Sequence, residues 1–239
     1  MHVSSDRGYA CKPEILLPVC TLAQGAGNPT EMTYNLLLQV LSYAHETRFE
    51  EMHISGEAGL EPVAMCDANH AVDCAMAGWA IAVCGCCVAF ACRRERCVAL
   101  STVEAELVAA SMAAADIVYV RSALEFMNVP LPRPTPLGID NAGAAAIATD
   151  PVMRSTLKHV ARRHYYVRDC VEEGYIAVYR VGTADNVADI MTKPLPAERH
   201  RVLAARLRSS IGQAMQPARE STLPALRAIA RAARAFLNT

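Results

Sequence analysis

Four acidic residues, Asp67, Glu106, Asp140 and Asp189, sit in local settings that suit metal-binding carboxylates. Asp67 and Asp140 each close a short apolar run, whereas Glu106 and Asp189 lie in stretches with helical character. Hard divalent cations such as Mg²⁺ take oxygen ligands and keep several waters, so a few carboxylates from different elements can hold them; histidine and thiolate are not wanted. Two such ions about 4 Å apart make a water nucleophilic and neutralise a leaving oxygen, which is what phosphodiester hydrolysis requires. Without metal, the same carboxylates repel one another and raise one another's pKa.

Each acid has to be delivered by an element. Residues 63–65 leading to Asp67, then 78–83, then 86–92, are short apolar runs at hairpin spacing, which predicts antiparallel strands turning near Gly85. Ser101 followed by Glu104 is the S-x-x-E capping box and opens a helix running to about Phe126, where Asn128, Val129 and Pro130 end it. The capping box gives Glu104 a structural job, so Glu106 is the better ligand. Residues 131–136, rich in proline, read as a stiff connector, and 137–139 as a brief strand that ends at Asp140. Helices are expected from Ala142 and from about Ser155 to Glu173, a strand over 175–181, and a helix at Asp189. Nearer the start, Thr30 suits the cap of a helix reaching Tyr43, with Leu36, Leu37, Val40 and Leu41 as its apolar face.

With 239 residues, the chain has room for one large domain or for an ordinary one with flanking segments. Its 53% hydrophobic and 20% charged content excludes wholesale disorder. A net charge of −1 gives no global basic signature, so nucleic-acid contact would rest on local clusters, Arg93, Arg94 and Arg96, or Lys158, Arg162 and Arg163. Five of the ten cysteines crowd between Cys84 and Cys97, but their spacing matches no paired zinc-ligand set. They read as small buried thiols in strands, and zinc is not expected. The apolar run 75–91 holds Gly78 and Gly85 and reads as a strand pair rather than a membrane span. No basic-then-apolar leader opens the sequence, which implies a reduced intracellular setting. Beyond residue 212, Leu226, Ile229, Ala230, Ala233 and Phe236 recur at helical spacing among arginines, a basic amphipathic pattern that suits a surface-docked terminal helix better than a membrane-binding one.

Four segments in order carry a family resemblance: Val98-Ala99-Leu100-Ser101-Thr102 with Glu106; Asp140-Asn141; Lys158-His159 through Arg168-Asp169; and Ala188-Asp189-Ile190-Met191-Thr192-Lys193-Pro194-Leu195-Pro196. Together they resemble the ribonuclease H domain of copia-type LTR-retrotransposon Pol polyproteins. Residues 12–43, with Lys12-Pro13-Glu14-Ile15 and Asn28-Pro29-Thr30, resemble the end of the reverse transcriptase in the same polyprotein, whose paired-aspartate motif is absent. The resemblance covers about 200 residues.

It implies an α/β, ribonuclease-H-like fold with a mixed five-stranded sheet flanked by helices, over 61–212. Residues 1–60 would be a reverse-transcriptase remnant and 213–239 a tail of unknown role. It implies Mg²⁺-dependent cleavage of the RNA strand of RNA–DNA hybrids, with two ions for which Mn²⁺ can substitute. Asp67 would bridge both ions, Glu106 and Asp140 would share the one beside the leaving oxygen, and Asp189 would hold the one that activates water. Asn141 joins the basic residues as a nucleic-acid contact. The setting would be a cytoplasmic virus-like particle or the nucleus, the partners the hybrid and the rest of a polyprotein, with no membrane. His70 stands where the family carries tryptophan, and 74–79 lack its arginine and hydroxyls, which bears on substrate contacts rather than on the metal ligands. Residues 182–186 have no counterpart of the histidine loop of cellular ribonucleases H. The rival expectation is a catalytically inactive relic or co-opted binding module of the same fold; a zinc-binding regulator is a distant third.

Overall fold

The computed structural model describes residues 12–54, 59–70, 75–95, 99, 101–149 and 166–209. Arg96, Cys97, Lys158, Arg162, Arg163, the start of the helix expected from Ser155 and the tail from 213 lie outside the described residues.

Among the described residues, five strands form one sheet in the order β3-β2-β1-β4-β5: β1 Val63–Asn69, β2 Met76–Val83, β3 Cys86–Arg94, β4 Thr135–Ile139 and β5 Ile176–Arg180. The first three run antiparallel, and β4 and β5 lie parallel to β1. This is the mixed five-stranded sheet that the resemblance implied. The β2–β3 hairpin closes through Cys84 and Gly85, both with positive φ (55° and 77°), the twist a two-residue turn between strands needs. Cys84, Cys86, Cys87 and Cys92 are buried around this hairpin.

Among the described residues, six helices, α1 Leu16–Gly25, α2 Glu31–Glu46, α3 Thr102–Phe126, α4 Ala142–Thr149, α5 Tyr166–Glu172 and α6 Ala197–Ser209, join two 3-10 turns at Pro13–Ile15 and Val187–Met191. The α3 helix begins where expected: Ser101 Oγ accepts the Glu104 N–H at 3.2 Å. It ends with Asn128 in the left-handed region (φ 59°), while Val129 N–H bonds Leu124 O and Asn128 N–H bonds Glu125 O. That pair of hydrogen bonds with an apolar Leu124–Val129 contact is a Schellman end, for which asparagine is second only to glycine.

Alanines decide how closely α3 approaches the sheet. Ala105, Ala109, Ala110, Ala113 and Ala114 are fully buried and pack with Ala64, Cys66, Ala68 and Ala77 of β1 and β2. By length and composition α3 would span a membrane, but its most apolar stretch is 56% buried within the fold. It is the core helix of the sheet's first face, joined there by α4 and α5. On the second face, Met65, Met76, Ala80 and Ala82 pack against the Val187–Met191 turn and Leu203, Ala204 and Leu207 of α6, with Leu16, Leu17 and Cys20 of the first elements alongside.

Two expectations need correction. The α2 helix has its Thr30 cap, with Thr30 Oγ1 accepting from Thr33 N–H, but its apolar face is not buried: Leu36 and Val40 are half-buried, and Leu37 and Leu41 are 40% and 55% exposed. The helix packs chiefly along α1, so half of its stripe meets no core. Asp189 lies in a five-residue 3-10 turn rather than a full helix. Pro194 and Pro196 end that turn, because proline offers no N–H to continue it, and α6 starts only at Ala197.

Candidate metal-binding active site

Asp67, Asp140 and Asp189 converge, with one carboxylate oxygen of each lying within 4.8 Å of the others. Parallel pairing sets the first two level: Met65 of β1 stands beside Gly138 of β4, so two residues on Asp67 and Asp140 leave adjacent strands together. Asp140 is half-buried and is followed by Asn141, whose Oδ1 accepts from Gly143 and Ala144 N–H at 2.9 and 3.1 Å. That cap starts α4 and fixes the backbone beside Asp140. Arg121, buried in α3, ties the connector to β4 by donating to Leu131 O, Arg133 O and Thr135 Oγ1.

Asp189 arrives from the opposite face. Asn186 caps its 3-10 turn by accepting from Ala188 N–H at 3.1 Å, and the same amide donates to Cys66 O of β1 at 2.9 Å. Gly78 makes room for the turn: a Cβ there would lie 2.8 Å from both Met191 Cβ and Thr192 Cγ2. Gly78 also pairs directly with Asp67, so this close approach brings the turn onto the strand position that matters.

Glu106, from α3, is not among the three that converge, but it lies near enough for the charges of Asp67 and Asp140 to act on it. It is 5% exposed, a backbone N–H at Ala68 donates to it, and its Oε2 is buried without a hydrogen-bond partner. Burial, then the charges of Asp67 and Asp140, pushes its carboxyl up to about 9. Burial also raises Asp67, to about 6, against the pull of Thr192 and Lys193. Glu104, two positions earlier in the helix's first turn, is half-buried.

Two cations and a hydroxyl, none singled out by the sequence, complete the site. Lys193 Nζ lies 2.9 Å from Asp67 Oδ1 and 2.9 Å from Asp189 Oδ1. Arg199 Nη2 stands 3.2 Å from Asp189 Oδ2, and the same guanidinium donates to Thr183 O and Ala184 O. Thr192 Oγ1 donates to Asp67 Oδ2. For Thr192 and Lys193 the only sequence signal was their place in the segment that carries Asp189, and Arg199 lies beyond that segment.

Arg93 and Arg94, of the basic residues expected to touch nucleic acid, lie at the same end of the sheet. Asp67 pairs with Gly78 and Gly78 with Cys92, so Arg93 and Arg94 follow two strands away. Arg94 is exposed, and the Arg93 guanidinium lies 5.1 Å from the Trp79 ring centre. Trp79 itself is fully buried and donates to Asp116 Oδ2 at 2.9 Å, so it shapes the core under the basic strand end.

The donor set fits a hard divalent cation. It consists of carboxylate oxygens, and the buried, unpartnered Oε2 of Glu106 is the kind of atom a metal satisfies. No protein-family model matches the chain. It is 27% identical over 188 residues to the retrovirus-related Pol polyprotein from transposon RE2 of Arabidopsis thaliana and 26% identical over 200 residues to that from RE1, covering 77% and 82% of the chain. Its identity to the Pol polyprotein from transposon TNT 1-94 of Nicotiana tabacum is 22% over 191 residues. The chain spans 13–14% of the length of these relatives. Among solved structures, the foamy viral protease–reverse transcriptase in complex with RNA/DNA hybrid matches 69% of the chain and 26% of its own, at 13% identity and a TM-score of 0.39. That likeness is too loose to carry an argument. The sequence relatives and the acid-bearing motifs agree: the chain is related to the Pol polyproteins of copia-type retrotransposons.

Proposed function

We infer that residues 61–212 form a divalent-metal-dependent nuclease domain that cuts the RNA strand of RNA–DNA hybrids during retrotransposon replication. Residues 1–60 would be the end of a reverse transcriptase. The observation that carries this reading is the convergence of Asp67, Asp140 and Asp189 beside the buried, unpartnered Oε2 of Glu106.

Asp67, Asp140, Asp189 and Glu106 would hold the metal, with Mg²⁺ as the natural ion and Mn²⁺ as a substitute. When bound, a pair of such ions supplies a nucleophilic water and charge neutralisation at the leaving oxygen. The protein's own contribution is position. Thr192 orients Asp67, Arg199 orients Asp189 and the Asn141 cap fixes Asp140, so the carboxylates keep their places while the substrate changes. Arg93 and Arg94, together with Arg96, Lys158, Arg162 and Arg163, would bind phosphates along the hybrid, and choice of the RNA strand would rest on the 2′-hydroxyl.

The test is to incubate the purified chain with a hybrid labelled on its RNA strand, with and without Mg²⁺. Cut RNA only with Mg²⁺ supports the reading. Intact RNA at every Mg²⁺ and Mn²⁺ concentration defeats it. A second reading, a binding module of the same fold that has lost turnover, draws on one specific observation: Lys193 and Arg199 already neutralise Asp67 and Asp189. It predicts hybrid binding without cleavage.

A further inference from the structure

Asp67 and Asp189 share a pattern. Each has one carboxylate oxygen committed to a fixed partner, Asp67 Oδ2 to the Thr192 hydroxyl and Asp189 Oδ2 to the Arg199 guanidinium. Arg199 is itself anchored on Thr183 O and Ala184 O. The remaining oxygens, Oδ1 of each, face the same ammonium, Lys193 Nζ, at 2.9 Å. These two carboxylates belong to the group of three that converges closely enough for one cation. Lys193 thus stands between two of the candidate ligands.

The position is also one that a side chain can leave. Lys193 Nζ sits on a flexible four-carbon stem and its side chain is 36% exposed, while Asp67 is fully buried. Its backbone N–H is bonded to Asp189 O and Pro194 follows, so the stem moves and the main chain stays. With Lys193 withdrawn, Thr192 and Arg199 still hold both carboxylates.

We propose that Lys193 is a built-in counter-ion that holds the Oδ1 atoms of Asp67 and Asp189 until a divalent cation arrives, and that lysine and cation compete for these two oxygens. The proposal rests on the metal-site reading above. It adds that the metal-free site is kept closed by its own lysine and that metal entry releases an ammonium toward the surface where phosphates would bind.

Mn²⁺ titration of the full chain by calorimetry tests this, comparing wild type with Lys193→Gln and Lys193→Arg. The glutamine variant should bind Mn²⁺ about tenfold or more tightly, since the cation no longer displaces a charge. Its metal-free melting temperature should drop by several degrees, because a buried carboxylate loses its partner. The arginine variant keeps the charge and should bind no better than wild type. Acetylation of native wild type, read by mass spectrometry, provides a measurement independent of any variant: Mn²⁺ should speed modification of Lys193, with Lys12 as an internal reference. Equal or weaker Mn²⁺ binding by Lys193→Gln, or acetylation of Lys193 that Mn²⁺ leaves unchanged or slows, overturns the counter-ion while leaving the metal site standing. Absence of Mn²⁺ binding in all three proteins overturns both.

Discussion

Charge burial governs the site residue by residue. Asp67 and Glu106 have folded-state pKa values of about 6 and about 9, above the ordinary carboxylate range, because burial disfavours their charged forms. The metal-free folded protein therefore binds protons in this window that the unfolded chain has released. Stability conferred by those protons is present at the acid end and lost as pH rises through about 6 for Asp67 and about 9 for Glu106. Melting curves without metal should show a falling Tm across this range, and Glu106→Gln should flatten most of the slope above pH about 6. A Tm that rises through the window would contradict the burial of these acids. Added Mg²⁺ should reverse the trend, since a bound cation favours the ionised carboxylates.

Among the elements, the 3-10 turn Val187–Met191 does the most to assemble the site, and Gly78 is what admits it. A methyl group at Gly78 would press on Met191 Cβ and Thr192 Cγ2, neither of which is the far end of a flexible side chain. Gly78→Ala should cost about 1–3 kcal/mol in denaturant unfolding, as overpacking does. It should also weaken divalent binding, because the displaced turn carries Asp189. Unchanged stability and binding would show that the turn yields without consequence. The turn also marks where sequence reading gave out. Ser101, Gly85, Thr30 and Asn128 act on backbone groups within a few residues of themselves, so the ends of α3, the start of α2 and the β2–β3 hairpin were legible. The fit of Gly78 against Thr192 and the bond from Lys193 to Asp67 join residues more than a hundred positions apart. No local pattern encodes such contacts. Motif order brought the four acids into view, yet the cations and the hydroxyl that hold them emerged only from the folded arrangement. The α2 stripe failed for the opposite reason: its spacing is amphipathic, but burial of a stripe depends on a neighbour the helix itself does not specify.

Across the whole molecule, the elements before β1 pack onto the five-stranded sheet. Glu14, 1% exposed, receives Arg208 of α6 at 2.9 Å, and Arg208 also meets Glu50 after α2. His200 of α6 lies 3.0 Å from Glu14 O, and its ring meets Tyr43 edge-on. Cys20 reaches Cys92 O of β3. Removing Arg208 would leave the buried Glu14 carboxylate only the more distant Lys12, 3.9 Å away, so Arg208→Ala should lower stability by about 3 kcal/mol in denaturant unfolding. Replacing Glu14 and Arg208 together by apolar residues should recover much of that loss, because a buried pair nearly offsets its own desolvation. If the single and double variants lose equally, packing rather than charge joins these elements.

The proposed nuclease function requires Asp67, Glu106, Asp140 and Asp189 together to hold metal. Asp67 is its sharpest point, being fully buried, level with Asp140 and bonded to both Thr192 and Lys193. The deciding measurement is the Mg²⁺-dependent rate of RNA cleavage in a labelled hybrid at low salt, for wild type beside Asp67→Asn. Wild type should cleave and the variant should lose about a hundredfold or more of that rate, with its metal-free Tm close to that of wild type. Equal cleavage by the two proteins would contradict that requirement.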